Sequence, residues 1–440
     1  MTGNSAAQAA TQTNAKTSAS PLYAWIVVSL LCLLYVVSFL DRMILVLLID
    51  PISSDLGLSD TQMGLLIGFA FAVLYVLIGL PIAHIADSGH RRIVLVIGVA
   101  LWGVATILSA FANSFAYLLV MRAAVAIGEA ALSPVAISLI GDLFKPEKRA
   151  FPTSLYMATG VLMGTGAFML GGGAIKLAES FAVGMDWEAW RITLVIVGAP
   201  TVLLAGVAAL VIREPERSRK ADKTLHAEPA IPYLKKEWRL YLGLFGGVGA
   251  LSAISWGIIS WVPTLLIRAH AFDPAQAGFI LGIVGPPAAI LGTLFSPWAA
   301  QRLANAGRSD AIPIVLLLMC AVASASLIAT IVNANTIVLM IGIVAALFAL
   351  SASTVMPAIA IQIIGPDWIR ARLMAINLTF LAILGQGLGP VLVAVFSERW
   401  DRPDSLAFGL LTLTLIMAPV AAGLLWMARS RLATSATATA

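Results

Sequence analysis

Charge is scarce in this chain of 440 residues: Asp, Glu, Lys and Arg make up only 11% of it. A soluble protein of that size needs far more ionised side chains to cover its surface, so a cytosolic enzyme is excluded. Cysteine is nearly absent. Cys32 and Cys320 sit in apolar runs with no partner spacing, which excludes a disulfide scaffold and reads as packing. The four histidines, His84, His90, His226 and His270, are scattered without metal-ligand spacing. No Gly-x4-Gly-Lys-Ser/Thr occurs, so the chain encodes no nucleotide motor, and no cofactor is expected. Hydrophobic residues, at 60%, are far too many for a disordered chain, and mean hydropathy is +0.96. The composition predicts an all-α, polytopic membrane protein.

About 20 apolar residues at ~1.5 Å each cross a hydrocarbon layer of ~30 Å. On that ruler the first half carries spans over 25–49, 61–83, 93–112, 115–141, 151–175 and 192–212. The second half carries them over 240–267, 275–300, 312–332, 336–364, 373–396 and 405–427. Twelve transmembrane helices are therefore expected. The charged connection 213–239 divides them into two six-helix bundles, 23–212 and 240–428, with polar, disordered tails at 1–22 and 429–440 and no cleaved signal peptide.

The net charge of +5 does not point to nucleic acid, because the basic residues cluster in short connections. With the N-terminus inside, 20 Lys and Arg fall on the cytoplasmic side and 5 outside, so both termini are expected in the cytoplasm. Trp25, Trp190, Trp238, Trp400 and Trp426 fall at span ends and read as interface anchors. Trp256 and Trp261 lie inside the seventh span, as cavity lining or as core. The glycines of the fifth span, Gly160, Gly164, Gly166 and Gly171 to Gly173, predict close helix packing.

The halves echo one another. Ser59-Asp-Thr-Gln62-Met-Gly64 and Gly68 resemble Asp273-Pro-Ala-Gln276-Ala-Gly278 and Gly282; Pro146-Glu-Lys-Arg149-Ala resembles Pro366-Asp-Trp-Ile-Arg370-Ala. Such echoes predict parallel repeats, an arrangement that sets a binding site between two rocking halves.

Four charges interrupt the spans: Asp41 and Arg42 in the first, Arg122 and Glu129 in the fourth. The spans of the second half contain none. Each costs at least ~2.5–3.5 kcal/mol to insert at mid-membrane, so each is expected to face a cavity or a partner. Counting inward at ~1.5 Å per residue puts Asp41 about 12 Å and Arg122 about 10 Å below the outer edge, level enough to pair. Glu129 is seven residues from Arg122, two turns deeper on the same face. An arginine between two carboxylates can change partners as either acid takes a proton. Adjacent Asp41 and Arg42 point about 100° apart and cannot share a partner. A fixed ion pair that merely ties two helices together is the plainer reading of the same residues.

Ala83-His-Ile-Ala-Asp87-Ser-Gly-His-Arg91-Arg92 resembles the loop signature of the major facilitator superfamily, with Ser88 and His90 departing from it. Phe39-Leu-Asp41-Arg42 and Arg122-x5-Gly128-Glu129-Ala130-x2-Ser133, continuing to Gly141-Asp142-Leu-Phe144, resemble its spinster branch, transporters of lysophospholipids and sphingoid phosphates in animals. The resemblance implies the major facilitator fold, with a cavity lined by helices 1, 4, 7 and 10 that opens to each side in turn. It also implies a cytoplasmic latch of Asp87, Arg91 and Arg92, with Asp87 at the start of helix 11 near Leu373.

Together these readings predict a monomeric, proton-coupled transporter of an amphipathic and anionic substrate in a bacterial inner membrane. Asp41, Glu129 and Arg122 are expected to handle the proton. Arg42, Arg122, Glu129, Trp256 and Asn377 are expected to hold the solute, with Ser353 and Gln386 among the sparse polar groups of an otherwise apolar second half. A drug/proton antiporter or an organic-anion symporter is the alternative. A membrane-embedded enzyme needs a nucleophile and base, or metal ligands, within the spans, and no such set stands there.

Overall fold

The computed structural model describes residues 20–88, 90–214 and 230–437; the side chain of Asp87 lies outside the described set, as does most of the expected linker. Among the described residues, twelve helices are long and apolar enough to span a membrane. The first six are α1 (Pro21–Leu47), α2 (Asp60–Ala86), α3 (Arg91–Ser109), α4 (Phe115–Leu143), α5 (Pro146–Ala182) and α6 (Ala189–Val211). The second six are α7 (Trp238–His270), α8 (Pro274–Asn305), α9 (Ala311–Thr330), α10 (Thr336–Ile364), α11 (Arg370–Ser397) and α12 (Ser405–Leu432). No strand occurs among the described residues. An even number of crossings puts the two ends of the chain on one side, here called the termini face; the opposite side is the far face.

Local chemistry sets the helix ends. Ser20 caps α1, accepting from the Tyr23 amide, with Pro21 at the first helical position, where its missing N–H costs nothing. The echoes between the halves turn out to be caps. Ser59 with Gln62 at α2, and Asp273 with Gln276 at α8, form reciprocal capping boxes on the far face. After α4, Arg149 Nε donates to the Phe144 carbonyl at 2.8 Å; after α10, Arg370 Nε donates to the Gly365 carbonyl at 2.8 Å. Each arginine reaches back five residues to satisfy a carbonyl that its helix leaves open.

Within the N-terminal bundle α1 packs on α5, α3 on α6, and α4 on both α2 and α3. The α3–α4 contact is very close: a Cβ at Gly128 would stand 2.5 Å from the Gly98 carbonyl oxygen. One face of α3 therefore runs from Gly98 through fully buried Trp102 to Thr106, and brings Thr106 against α1. Within the other bundle α7 packs on α12, α8 on α10, and α11 on α12.

The bundles meet through α5 with α8, α2 with α11, and α1 with α7. The echoed glycines sit on these seams. A Cβ on Gly64 would meet the Pro390 carbonyl at 3.1 Å, one on Gly68 the Gln386 carbonyl at 2.9 Å, and one on Gly282 the Met169 amide at 2.5 Å. In α5, Gly172 is as tight, with Ala275 O at 2.7 Å, whereas Gly164 and Gly173 face open space. All these seams lie toward the far face. There, too, Arg268 at the end of α7 forks onto Asp50 and Asp60 across the interface, at 2.7 to 2.9 Å, and Glu398 accepts from Thr61 N and Oγ1 at 2.8 Å. Closer to the termini face, Leu77 on α2 and Leu378 on α11 are exposed.

One tryptophan expected at a span end behaves differently. Trp238, Trp400 and Trp426 are exposed, but Trp190 is buried, its indole N–H donating to Asp55 at 3.1 Å. A partner for the N–H inside the protein removes its need for the interface.

Candidate functional site

Helix α4 breaks its regular pattern just after Glu129. Pro134 has no N–H to give the Ala130 carbonyl, and Ala131 N turns to Gly128 O at 3.3 Å. Helix α2 carries a π-helical stretch, Leu65–Phe69, which shifts the facing of the residues that follow. The first of these to be fully buried is Phe71.

Around these irregularities the four intramembrane charges form two pairs. Arg122 Nη1 stands 3.1 Å from Asp41 Oδ2, joining α4 to α1 at the level the depth count required. Glu129, however, is not the second partner of Arg122. Its Oε2 is held by Arg42 through both Nε and Nη2 at 2.6 Å, and by Ser38 Oγ at 2.9 Å. The 100° turn from Asp41 to Arg42 is what allows α1 to address two residues of α4 that lie two helical turns apart. The Phe71 ring lies between the pairs, its centroid 4.5 Å from the Arg122 guanidinium carbon and 4.7 Å from that of Arg42. Tyr75 and Phe39 complete an aromatic surround of Arg42, at 5.2 and 5.5 Å.

Access to the four is unequal. The side chain of Arg42 is 12% exposed, those of Arg122 and Asp41 4% and 3%, and that of Glu129 not at all. Arg42 is therefore the more accessible of the two guanidinium groups. Glu129 Oε1 and Arg122 Nε are buried without a hydrogen-bond partner from the protein, so each pair holds one unused group ready for a rearranged contact.

The hydrogen bonds around Asp41 suit either protonation state. Thr106 Oγ1 lies in hydrogen-bond contact with Asp41 Oδ1 and 3.0 Å from the Trp102 carbonyl oxygen. A hydroxyl has one proton to give. With Asp41 ionised, Thr106 donates to it; with Asp41 protonated, Asp41 donates to Thr106 and Thr106 donates to the carbonyl. Both states are satisfied without moving a backbone atom. Sequence reading overlooked Thr106, Ser38 and Phe71, although Ser38 stands one turn before Arg42 on the same face.

The remaining expected residues lie elsewhere. Trp256 on α7 is half-buried beside Gly385 of α11, and Asn377 on α11 is buried with Oδ1 unpartnered. Arg91 is buried at the start of α3, donating to Glu214 at 2.9 Å and to Ser138 Oγ at 3.1 Å and pairing with Asp142. The Arg92 amide donates to Glu214 at 2.9 Å, and its guanidinium to the Ala209 carbonyl. These contacts tie α3 to the ends of α4 and α6, within one bundle. The expected partner of Asp87 near Leu373 involves a side chain outside the described set.

The sequence pattern of the Major Facilitator Superfamily matches residues 31–365. The chain belongs to that superfamily. It is 30% identical to an MFS-type efflux pump of Mycolicibacterium smegmatis, over 97% of each chain. It is 25% identical to the protein spinster of Drosophila melanogaster over 63% of its own length, and spans about half (46%) of the fly protein. A crystal structure of a bacterial homolog of the human lysosomal transporter Spinster, inward-facing and unoccupied, superposes with a TM-score of 0.82 at 25% identity, covering 94% of this chain and 98% of that one. The superfamily is one of transporters, not enzymes, and within it this chain is similar to the spinster proteins.

Proposed function

We propose that the protein couples protons to the movement of an amphipathic, anionic solute, of the lysolipid-phosphate kind, by alternating access. The observation that carries this reading is the pair of carboxylate–guanidinium contacts between α1 and α4, separated by one aromatic ring and each keeping an unused buried group. Protonating Glu129 removes the charge that holds Arg42, and Arg42 then turns to the phosphate or carboxylate of the solute. Protonating Asp41 releases Arg122 in the same way. The apolar second bundle receives the acyl chain, with Trp256 and Asn377 at its polar points.

The 20-to-5 split of basic residues supports a bacterial inner membrane with both termini in the cytoplasm. In that orientation the far-face clamp of Arg268 on Asp50 and Asp60 holds the outer side of the seam closed. The end-to-end likeness to an efflux pump favours a second reading, a drug/proton antiporter that uses the same charges.

Purified protein in liposomes tests both. Glu129→Gln is expected to abolish the transport of lysophosphatidate driven by a pH gradient while the protein stays folded. Undiminished pH dependence ends the assignment of Glu129, and transport of cationic drugs but not of lysophosphatidate selects the antiporter.

A further inference from the structure

Behind Asp41, on the side away from Glu129, the N-terminal bundle encloses a small cavity of about 20 Å³. Its walls come from the far-face ends of five helices. Leu45 follows Asp41 on α1; Met63 and Leu66 open α2; Ser109 ends α3; Leu118 and Arg122 open α4; Leu194 opens α6. The volume is enough for one water molecule, and a buried water needs two to four polar partners. Four polar side chains line the space: Asp41, Thr106, Ser109 and Arg122. Arg122 Nε is buried with no partner in the protein. Ser109 Oγ gives its proton to the Ala105 carbonyl at 2.8 Å, which leaves its lone pairs to accept. Further toward the far face, in the short helix Ile49–Leu56, Ile52 lines the same cavity, and the hydroxyl of its neighbour Ser53 is buried without a partner.

We infer that this cavity binds a water molecule that carries protons from the far face to Asp41 through the inside of the N-terminal bundle, by a route separate from the solute's. The inference rests on the proton-coupled reading above. The step balances simply. The water passes one proton to a carboxylate oxygen of Asp41 and regains one from the far-face side. Thr106 swings its own proton to the Trp102 carbonyl and accepts from Asp41, and Arg122 loses its counter-charge. The charged groups around Asp41 are Arg122 and Glu129 from α4 and Arg42 from α1, with the phenol of Tyr75 from α2 beside Arg42. Cavity walls contributed by α2, α3 and α6 carry no titratable group. With the far-face seam between the bundles clamped by Arg268 on Asp50 and Asp60, a carboxylate reached from behind can still exchange with the far-face compartment.

Leu118→Phe fills the cavity while leaving all four charged side chains in the sequence. In liposomes, proton influx driven by lysophosphatidate is expected to fall by roughly tenfold or more, the loss of a positioned proton donor, while lysophosphatidate exchange at equal pH stays at the wild-type rate. Radiolytic hydroxyl labelling of the solute-free wild type reads hydration directly. Met63, on the cavity wall, is expected to oxidise faster than Met43 and Met356, which are equally buried away from it. Undiminished coupling in Leu118→Phe overturns the route, as does labelling of Met63 no faster than those two. If Leu118→Phe loses both activities, the Met63 comparison decides. A wild type indifferent to the pH gradient overturns the parent reading instead, and that outcome is visible before any variant is made.

Discussion

In the N-terminal bundle, Asp41, Arg122 and Glu129 are buried in mid-helix; among the described residues of the C-terminal bundle the one buried charge is Asp310, at the start of α9. The bundles otherwise share a plan. Both open a helix on the far face with a capping box, follow it with glycines on the interbundle seam, and close a central helix with an arginine folded back onto its last carbonyl. The shared features are those that hold helices together, and the unshared ones cost insertion energy. Repeats that agree on packing and differ only in buried charge point to a division of labour, with titration in one half and apolar contact in the other.

The largest effect that sharpens this contrast comes from Arg122→Leu. It leaves Asp41 buried without its ion partner, and removing one member of a buried pair costs about 3–5 kcal/mol. Thermal melting in detergent is expected to drop steeply, by more than for any other substitution considered. Adding Asp41→Leu is expected to restore the melting temperature and leave transport dead, because a packed apolar pair replaces the ion pair structurally but holds no proton. If the single variant melts like the wild type, Asp41 is neutral in the folded protein and the pair is not an ion pair.

The opposite sign is expected in the other bundle. Asn377 is buried with Oδ1 unpartnered, and a stranded buried acceptor costs about 1–3 kcal/mol. Asn377→Leu is therefore expected to raise the melting temperature or leave it level, while weakening lysophosphatidate binding. A drop would reveal a polar partner at Oδ1 and break the picture of an apolar second half.

Much of this was legible from residue spacing. Hydropathy yields the twelve spans because lipid allows few alternatives to a helix, and counting along α1 and α4 brings Asp41 level with Arg122 because rise per residue is nearly constant. The choice of partner for Glu129 was not legible. Spacing shows that Arg42 diverges from Asp41, but the residue it meets depends on how α1 is rotated against α4, which is set by packing between helices far apart in the sequence. Phe71 escaped for a related reason: the π-helical stretch before it breaks the 3.6-residue count on which a face assignment depends. In the sequence Arg268 reads as no more than one of the five outer basic residues, since nothing local announces that Asp50 and Asp60, more than two hundred positions away, converge on it. Trp190 misled because a span-end position is equally consistent with lipid interface and with a buried partner such as Asp55.

The smallest effect separates a charge at a helix end from one in the bundle interior. Asp310 accepts from Arg308 at 3.2 Å and from Arg429 of α12 at 2.8 Å. The Arg308 hydrogen bond, and after it the Arg429 one, outweigh partial burial and hold the Asp310 carboxyl below its ordinary value. A carboxyl whose folded pKa lies below its unfolded one stabilises the fold above the unfolded value of about 3.9 and ceases to as pH falls through the folded value. Both arginines are partly exposed, so solvent screens the gain. Asp310→Asn is expected to lower the melting temperature slightly at pH 7, with the gap to wild type narrowing as pH drops below about 4. Its effect on transport is expected to be nil at either pH, in contrast to Glu129→Gln. A loss of proton-driven transport in Asp310→Asn would show that titration is not confined to the N-terminal bundle, and the division between the halves would fail at its edge.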